Sequence, residues 1–378
     1  MITSLDTARR RMADTMMEEG ALASPHWHDA FRTIARDLFV PRFTIGYGRT
    51  ARVYERSDDG YPEAVYTDTS LVTRWDEGGT PVSSSSAPSL MARMLEAFTP
   101  GDGPVMEIGT GTGYNCALMC HRFGAANVVS VDVDPVLTRE AREKLAEHDF
   151  APTLVTGDGT SGYRERAPYS GILATCGVER VPTAWLRQVR PGGVIVTNIG
   201  TGIARLIVSE GHGAEGEFLP EPASFMRARP TSEYVARTAP QYTKLIIHGT
   251  GRSRTVVLPD YAAGTDQFLS DLTLASALEI SVMQHDVLSM SLITSPEAAI
   301  HGLVHPDSES WARIMPGPDN TVEVSEAGPR SLWDERLNLF TDWNEAGQPS
   351  PGAYRLTVTP DGTHHLSRGA RSWTASTA

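Results

Sequence analysis

Three acidic residues end three apolar runs at intervals that could build a nucleoside site. Glu107 lies in Val105-Met106-Glu107-Ile108, Asp132 closes Val128-Val129-Ser130-Val131-Asp132, and Asp158 follows Val155-Thr156-Gly157. Behind Glu107 comes Gly109-Thr110-Gly111-Thr112-Gly113, then an amphipathic segment from Tyr114 to Arg122. That order reads as strand, tight turn and helix. Glycines let a backbone turn sharply and approach a ligand closely. A helix start offers unpaired N–H groups and positive dipole. Asp132 falls about twenty residues past the turn, where a carboxylate can accept both ribose hydroxyls. Each acid alone could cap a helix or sit in a solvated loop; three at successive strand ends point to a nucleoside.

The turn also excludes ligands. Gly109-x-Gly111-x-Gly113 lacks the spacing that makes room for a pyrophosphate, and no Lys-Ser/Thr follows as in a Walker loop. An acid just before the turn repels a diphosphate and suits a ligand with an amino group. S-adenosyl-L-methionine carries ribose, adenine, an α-amino group and a sulfonium, and no phosphate. The candidate contacts to this cofactor are Glu107, Gly109, Thr110, Gly111, Thr112, Gly113, Asp132, Asp158 and Gly159.

A second stretch, Ser83-Ser84-Ser85-Ser86-Ala87-Pro88-Ser89, precedes a helix expected over Leu90–Phe98. Serines before a proline can form a linker or a helix cap, or offer hydroxyl donors one helix ahead of the glycine turn.

These residues must be positioned by a sheet. Strands are expected near 104–109, 127–131, 153–156, 169–174 and 193–199, and helices near 114–122, 135–148 and 182–190. Such alternation predicts a parallel sheet with helices on both faces, whose ligands sit at the carboxyl ends of the strands. Residues 1 to about 44 read as helical, with Arg9–Glu19 and Trp27–Asp37 as the periodic parts. Residues 45–82 read as loop and short strand, including Ala64–Thr67 and Ser70–Thr73.

The chain of 378 residues is long enough for two or three domains. A net charge of -13 argues against a nucleic-acid partner. No run of about 18 apolar residues suggests a membrane span, and the N-terminus lacks a signal-peptide core. Three cysteines give no disulfide framework and fit a cytoplasmic protein. Cys116 and Cys120 read as packed thiols, and no metal site is expected.

In order and spacing, several motifs resemble the protein L-isoaspartyl O-methyltransferase family. They are Ala35-Arg-Asp-Leu-Phe-Val-Pro41, Ser86-Ala-Pro88, Met106–Tyr114, Val131-Asp132, Gly157-Asp-Gly159, Ala167-Pro-Tyr169, and Arg190-Pro-Gly-Gly193 after Val181-Pro182. The resemblance covers about residues 30–230. It implies a Rossmann-like class I methyltransferase core that binds S-adenosylmethionine. Glu107 and the glycine turn would lie near the methionine part, Asp132 on the ribose, and Asp158 with Gly159 beside the adenine. Ser86 would lie where substrate carboxylate and methyl donor meet, with Ser85 as helper. Ser89 stands where the family usually has a histidine or an aromatic residue, and joins the candidate cofactor contacts.

The expected α/β architecture is an N-terminal helical cap (1–88), the cofactor domain (89–230) and a C-terminal α+β extension (231–378). In the extension, strands are expected at Leu245–His248, Thr255–Leu258, Glu279–Met283, Leu288–Ile293 and Thr321–Val324. A helix is expected over Ser331–Ala346, with Ser331 and Asp334 as a capping box. Tyr354–Leu366 reads as a terminal hairpin, with His364 and His365 on the surface. The extended form resembles methyltransferases that accompany lanthipeptide and graspetide gene clusters. That resemblance implies methylation of an L-aspartyl side chain in a modified precursor peptide, leading through a methyl ester to an aspartimide that either persists or hydrolyses to isoaspartate. A general isoaspartyl repair enzyme is the alternative, and a non-catalytic cofactor-binding subunit a third reading.

Overall fold

The computed structural model describes residues 4–46, 50–231, 234, 237–259, 265–274, 277–295 and 298–375. The cap contributes helices Ser4–Glu18, Pro25–Thr33, Arg36–Phe39 and Tyr61–Val65. It adds β1 (Arg42–Ile45), β2 (Arg52–Glu55), β3 (Leu71–Trp75) and β4 (Pro81–Ser85), ordered β2-β1-β3-β4. The serine stretch is therefore a strand rather than a linker. Ser83 and Ser85 are buried while Ser84 and Ser86 are half-buried, the two-residue alternation of extended chain. Ala64–Thr67, expected as a strand, instead ends a helical turn that Pro62 initiates.

The central sheet begins with β5 (Val105–Ile108), β6 (Val128–Asp132), β7 (Thr153–Thr156), β8 (Tyr169–Val178) and β9 (Val189–Ile199). These five lie side by side in the order β7-β6-β5-β8-β9 and are parallel throughout. Consecutive strands turn outward in opposite directions from β5, so the order reverses between β5 and β8. That reversal opens a crevice at the carboxyl ends. The helices Tyr114–Phe123 and Pro135–Ala146 cross between the strands, as expected. Asp134 caps the second, accepting from Val136 N at 2.8 Å.

Beyond β9 the sheet continues antiparallel through β10 (Gly202–Val208) and β11 (Ala214–Phe218). The extension then builds β12 (Arg252–Val257), β13 (Leu288–Ser295), β14 (Ala298–His305), β15 (Ser310–Pro316) and β16 (Thr321–Ala327) into a second, five-stranded antiparallel sheet. Helices Thr265–Leu274 and Leu332–Glu345 pack on it, with Leu269, Leu272, Trp333 and Phe340 in the shared core. Finally β17 (Arg355–Val358), β18 (His364–Arg368) and β19 (Arg371–Ala375) return to the central sheet, where β17 pairs with β11. The expected unit 231–378 is thus divided. Its last strands complete a ten-stranded sheet with the cofactor domain.

Four expectations in the extension are corrected. Leu245–His248 belongs to a one-turn helix, Thr243–His248. Glu279–Met283 is helical, Leu278–Met283. Its Leu278 and Val282 pack on the central sheet and Ile280 on the extension. A helix buried on two sides loses the one-sided stripe of a surface helix, so its β-branched residues mimic a strand. Ser331 makes no side-chain cap; Glu326 Oε1 instead accepts from Trp333 N at 3.0 Å. His364 is buried, and its Nε2 accepts from Val181 N at 3.1 Å.

Candidate active site

The crevice widens into a cleft of ≈ 1950 Å³. Small-molecule pockets are commonly about 300–1,000 Å³, so this one has room for a nucleoside cofactor and part of a peptide together. Its floor is the carboxyl end of the parallel strands: Ile108 through Thr112, Asp132, Gly159 and Thr160, and Thr175 through Arg180. One wall is the strand end Ser83–Ser86. The rest of the wall comes from Phe225–Pro230, Tyr234, Arg237, Thr238 and Gln241, and from the extension through His285, Asp286, Leu288 and Asp307.

The glycine turn has the conformation its composition predicts. Gly109 has φ of +94°, and a Cβ there would stand 2.9 Å from Thr175 Oγ1. That hydroxyl donates to Gly109 O at 2.8 Å, bolting the turn to β8. Gly111 has φ of +52°, and a Cβ there would meet nothing closer than Ser84 O at 3.8 Å. The turn thus leaves open space at Gly111 and faces the serine strand across it.

Asp132 lines the cleft. Its Oδ2 accepts from Gly111 N at 2.8 Å and its Oδ1 from Asp134 N at 3.0 Å. Burial raises its pKa, and the two backbone donors oppose the rise. Glu107 is fully buried one layer behind the wall. It accepts from Asn115 Nδ2 at 2.7 Å and from Ser130 Oγ at 2.5 Å. Thr110 Oγ1 joins Ser130 Oγ at 2.6 Å. Glu107 therefore organises the turn and the helix start through polar neighbours, and burial pushes its pKa up to about 7.

The predicted residues divide accordingly. Gly109, Thr110, Gly111, Thr112, Asp132, Gly159, Ser85 and Ser86 meet at the cleft. Glu107, Gly113, Asp158 and Ser89 stand outside its lining. Asp158 caps the following turn, its Oδ1 accepting from Thr160 N at 2.9 Å. Ser89 N donates to Asp68 Oδ1 at 2.8 Å, at the start of the helix Pro88–Ala97. The Ser85 hydroxyl accepts from Arg36 Nε at 3.2 Å inside the protein, which leaves Ser86 as the half-buried serine at the strand end.

Sequence reasoning missed Tyr114, Asn115, Cys176 and Arg229, which also line the cleft. Asn115 follows the glycine turn closely enough to have been suspected. Arg229 carries no local signal. Tyr114 OH and Asn115 Oδ1 are buried without a hydrogen-bond partner. Buried polar atoms without partners are uncommon, and these two belong to residues that line the cleft beside the glycine turn. This set fits S-adenosylmethionine: an ammonium and ribose hydroxyls need acceptors, and no phosphate needs a cation. Cys176 is pushed up to about 12 by burial, so it stays a thiol and a weak nucleophile. Among the described residues no group of His, Cys, Asp and Glu could hold a metal ion. No helix there is long and apolar enough to cross a membrane.

A comparison with models of known families matches residues 7–219, more than half of the chain, to the protein-L-isoaspartate(D-aspartate) O-methyltransferase (PCMT) family. The chain belongs to that family. The protein-L-isoaspartate O-methyltransferase of Hyperthermus butylicus is 30% identical over 204 residues, covering 51% of this chain and 75% of that enzyme. The enzyme of that description from Ectopseudomonas mendocina is 32% identical over 212 residues, covering 54% of this chain and 88% of its own length. A solved structure described as a protein-L-isoaspartate O-methyltransferase overlays 96% of this chain and 99% of its own, with TM-score 0.54 and 23% identity. The overlay shows a shared fold that takes in most of the extension. This PCMT-family chain is a methyltransferase that uses S-adenosylmethionine and acts on (iso)aspartyl carboxyl groups of proteins or peptides.

Proposed function

We propose that the enzyme methylates the free carboxylate of an L-isoaspartyl residue in a peptide laid across the cleft. What carries this reading is one juxtaposition: Gly111 in the cofactor turn faces the serine strand, at 3.8 Å from a Cβ on Gly111 to Ser84 O. In this reading donor site and acceptor site share one cleft.

In this reading the Gly109–Thr112 turn and Asn115 Oδ1 hold the methionine part, Asp132 the ribose, and Gly159 with Thr160 the adenine. The bound cofactor supplies an electrophilic methyl group on a sulfonium. The protein needs no general base, because a carboxylate with a pKa near 4 is already ionised at neutral pH. Its task is alignment and the exclusion of water. The Ser86 hydroxyl donates to the carboxylate oxygen that does not react and holds the other one free. Family membership and the relatives' descriptions favour isoaspartyl over aspartyl acceptors.

A second reading rests on the extension. Its residues His285, Leu288 and Asp307 form part of the cleft wall, which would suit a constrained, modified precursor peptide with an ordinary L-aspartyl acceptor. The test is radiolabelled methyl transfer to a linear L-isoaspartyl peptide, its L-aspartyl counterpart, and a cyclised L-aspartyl peptide. Preference for the linear isoaspartyl peptide supports the first reading. Turnover of the cyclised aspartyl peptide alone replaces it with the second.

A further inference from the structure

The hydroxyl assigned to the substrate sits at the end of a strand whose last residues are gripped from behind. Arg36 lies in the short helix Arg36–Phe39 and is fully buried. Its guanidinium donates to six oxygens: Ser86 O at 2.8 Å, Val65 O at 2.9 Å, Ser85 O at 3.2 Å, Ser85 Oγ at 3.2 Å, Thr67 O at 3.3 Å and Thr69 O at 3.4 Å. All six are neutral. No carboxylate makes an ion pair with Arg36 among the described residues.

The helix that carries Arg36 is itself pinned. Tyr61 OH donates to Val40 O at 2.7 Å and to Asp37 O at 3.1 Å, and Tyr66 OH to Asp37 Oδ1 at 2.5 Å. The next turn is tied as well, since Asp68 accepts from Ser89 N at the end of the serine stretch. So the guanidinium is a fixed post to which the strand end is bound.

A buried charge is costly unless polar atoms replace its water. Here carbonyl oxygens do so, and burial lowers the group only to about 10, leaving it cationic at neutral pH. Two effects reach the cleft. A clamped carbonyl is polarised, which strengthens the N–H of its own peptide unit as a donor. For Ser85 O and Ser86 O those N–H groups belong to Ser86 and Ala87, and in a trans peptide they point away from the guanidinium. Also, no carboxylate is in contact with the guanidinium, and Asp68 acts on it only through space, so part of its field persists in a weakly screening interior.

We propose that Arg36 is a positioning residue for the acceptor carboxylate: it fixes Ser86 and the Ser86 and Ala87 N–H groups toward the substrate, and its charge favours an anion in the cleft. The inference rests on the reading of Ser86 given above. Arg36 does not touch the substrate. Its geometric role acts on turnover and its charge on substrate affinity.

The full chain is assayed with whichever peptide the wild type methylates, so a wrong acceptor and a wrong role for Arg36 give different results. Active enzyme is counted by S-adenosylhomocysteine binding. Arg36→Lys keeps the charge but cannot span the acceptors. It lowers kcat about 100-fold, as misplacement of a reacting group by about 1 Å does, with peptide KM and S-adenosylhomocysteine affinity within about threefold. Arg36→Met also loses the charge and raises KM about tenfold further. A folded Arg36→Lys enzyme with kcat within about threefold of wild type overturns the proposal. So does an equal KM in the Lys and Met variants. Should neither variant fold, amide exchange of the wild type decides. Adding the peptide to the S-adenosylhomocysteine complex slows exchange at Ser86 and Ala87, and unchanged exchange there rejects the assignment.

Discussion

Arg36 in the cap and Arg336 in the extension are both buried guanidinium groups, yet they serve different ends. Arg336 donates to Gln284 Oε1 at 2.5 Å, Thr273 O at 3.2 Å, and Leu272 O and Ser289 Oγ at 3.3 Å. Burial pushes both arginines down to about 10. Both are solvated by neutral oxygens in place of water. The difference lies in what the oxygens belong to. Ser85 and Ser86 are in the cleft wall, whereas Gln284, Leu272, Thr273 and Ser289 are not. The guanidinium is the same device in each region; its acceptors decide whether it supports a site or a core.

The largest effect that could break this contrast comes from Arg336→Met. It strands several buried acceptors at once and costs about 3 kcal/mol of stability. Denaturant unfolding measures that loss, and the folded enzyme keeps kcat/KM within about twofold. A stable variant with weak turnover would erase the distinction between the two arginines.

A second pair of buried groups sharpens it. Glu107, in the cofactor half, is raised from 4.5 to about 7 by burial. The folded state therefore binds more protons than the unfolded state across that window. Its contribution is fully present below pH 4.5 and is lost as pH rises through about 7. Thermal melts of Glu107→Gln are flatter than wild type over that range. Glu107→Gln also weakens S-adenosylhomocysteine binding about tenfold, because an amide cannot accept from both Ser130 and Asn115.

His364, on the extended part of the sheet, has the opposite sign. Burial lowers it from 6.5 to about 4, with Arg180, His285 and His365 adding repulsion. The unfolded state then binds more protons between those values, so stability falls as pH drops from 6.5 toward 4. His364→Asn removes that acid sensitivity in melts taken across the window, with cofactor affinity unchanged. The smallest effect is expected at the cleft mouth. Arg237 pairs with Asp307 at 2.5 Å, and the two side chains are 57% and 76% exposed. Arg237→Gln leaves the unfolding midpoint unchanged, because solvent screens so exposed a pair, and peptide KM moves by no more than about threefold. A tenfold rise in KM would shift acceptor recognition from Ser86 toward the extension.

The parallel half of the sheet was legible because its signals are local. Val105–Ile108, the glycine turn and Asp132 span a single strand–helix–strand unit, and each residue type there answers to its immediate neighbours. Elsewhere the signals were overridden. The Leu278–Met283 helix is buried by two different cores, so its pattern mimicked a strand. Ser331 lost its capping role to Glu326, a residue on another element. His364 looked like a surface residue because alternation assigns only relative faces. It is buried because β18 lies inside a ten-stranded sheet, which no short-range pattern announces.

The sequence by itself determined the methyl donor and the parallel sheet that holds it. Glycines at positive φ and acids at strand ends are requirements of local backbone geometry. Only the tertiary structure decided the acceptor side. It brought Arg36 behind Ser85 and Ser86 from about fifty residues away. It turned Glu107 inward behind Asn115, and it set the extension against the cleft. These are non-local contacts, fixed by packing and by the need of buried polar groups for partners, and no spacing along the chain encodes them.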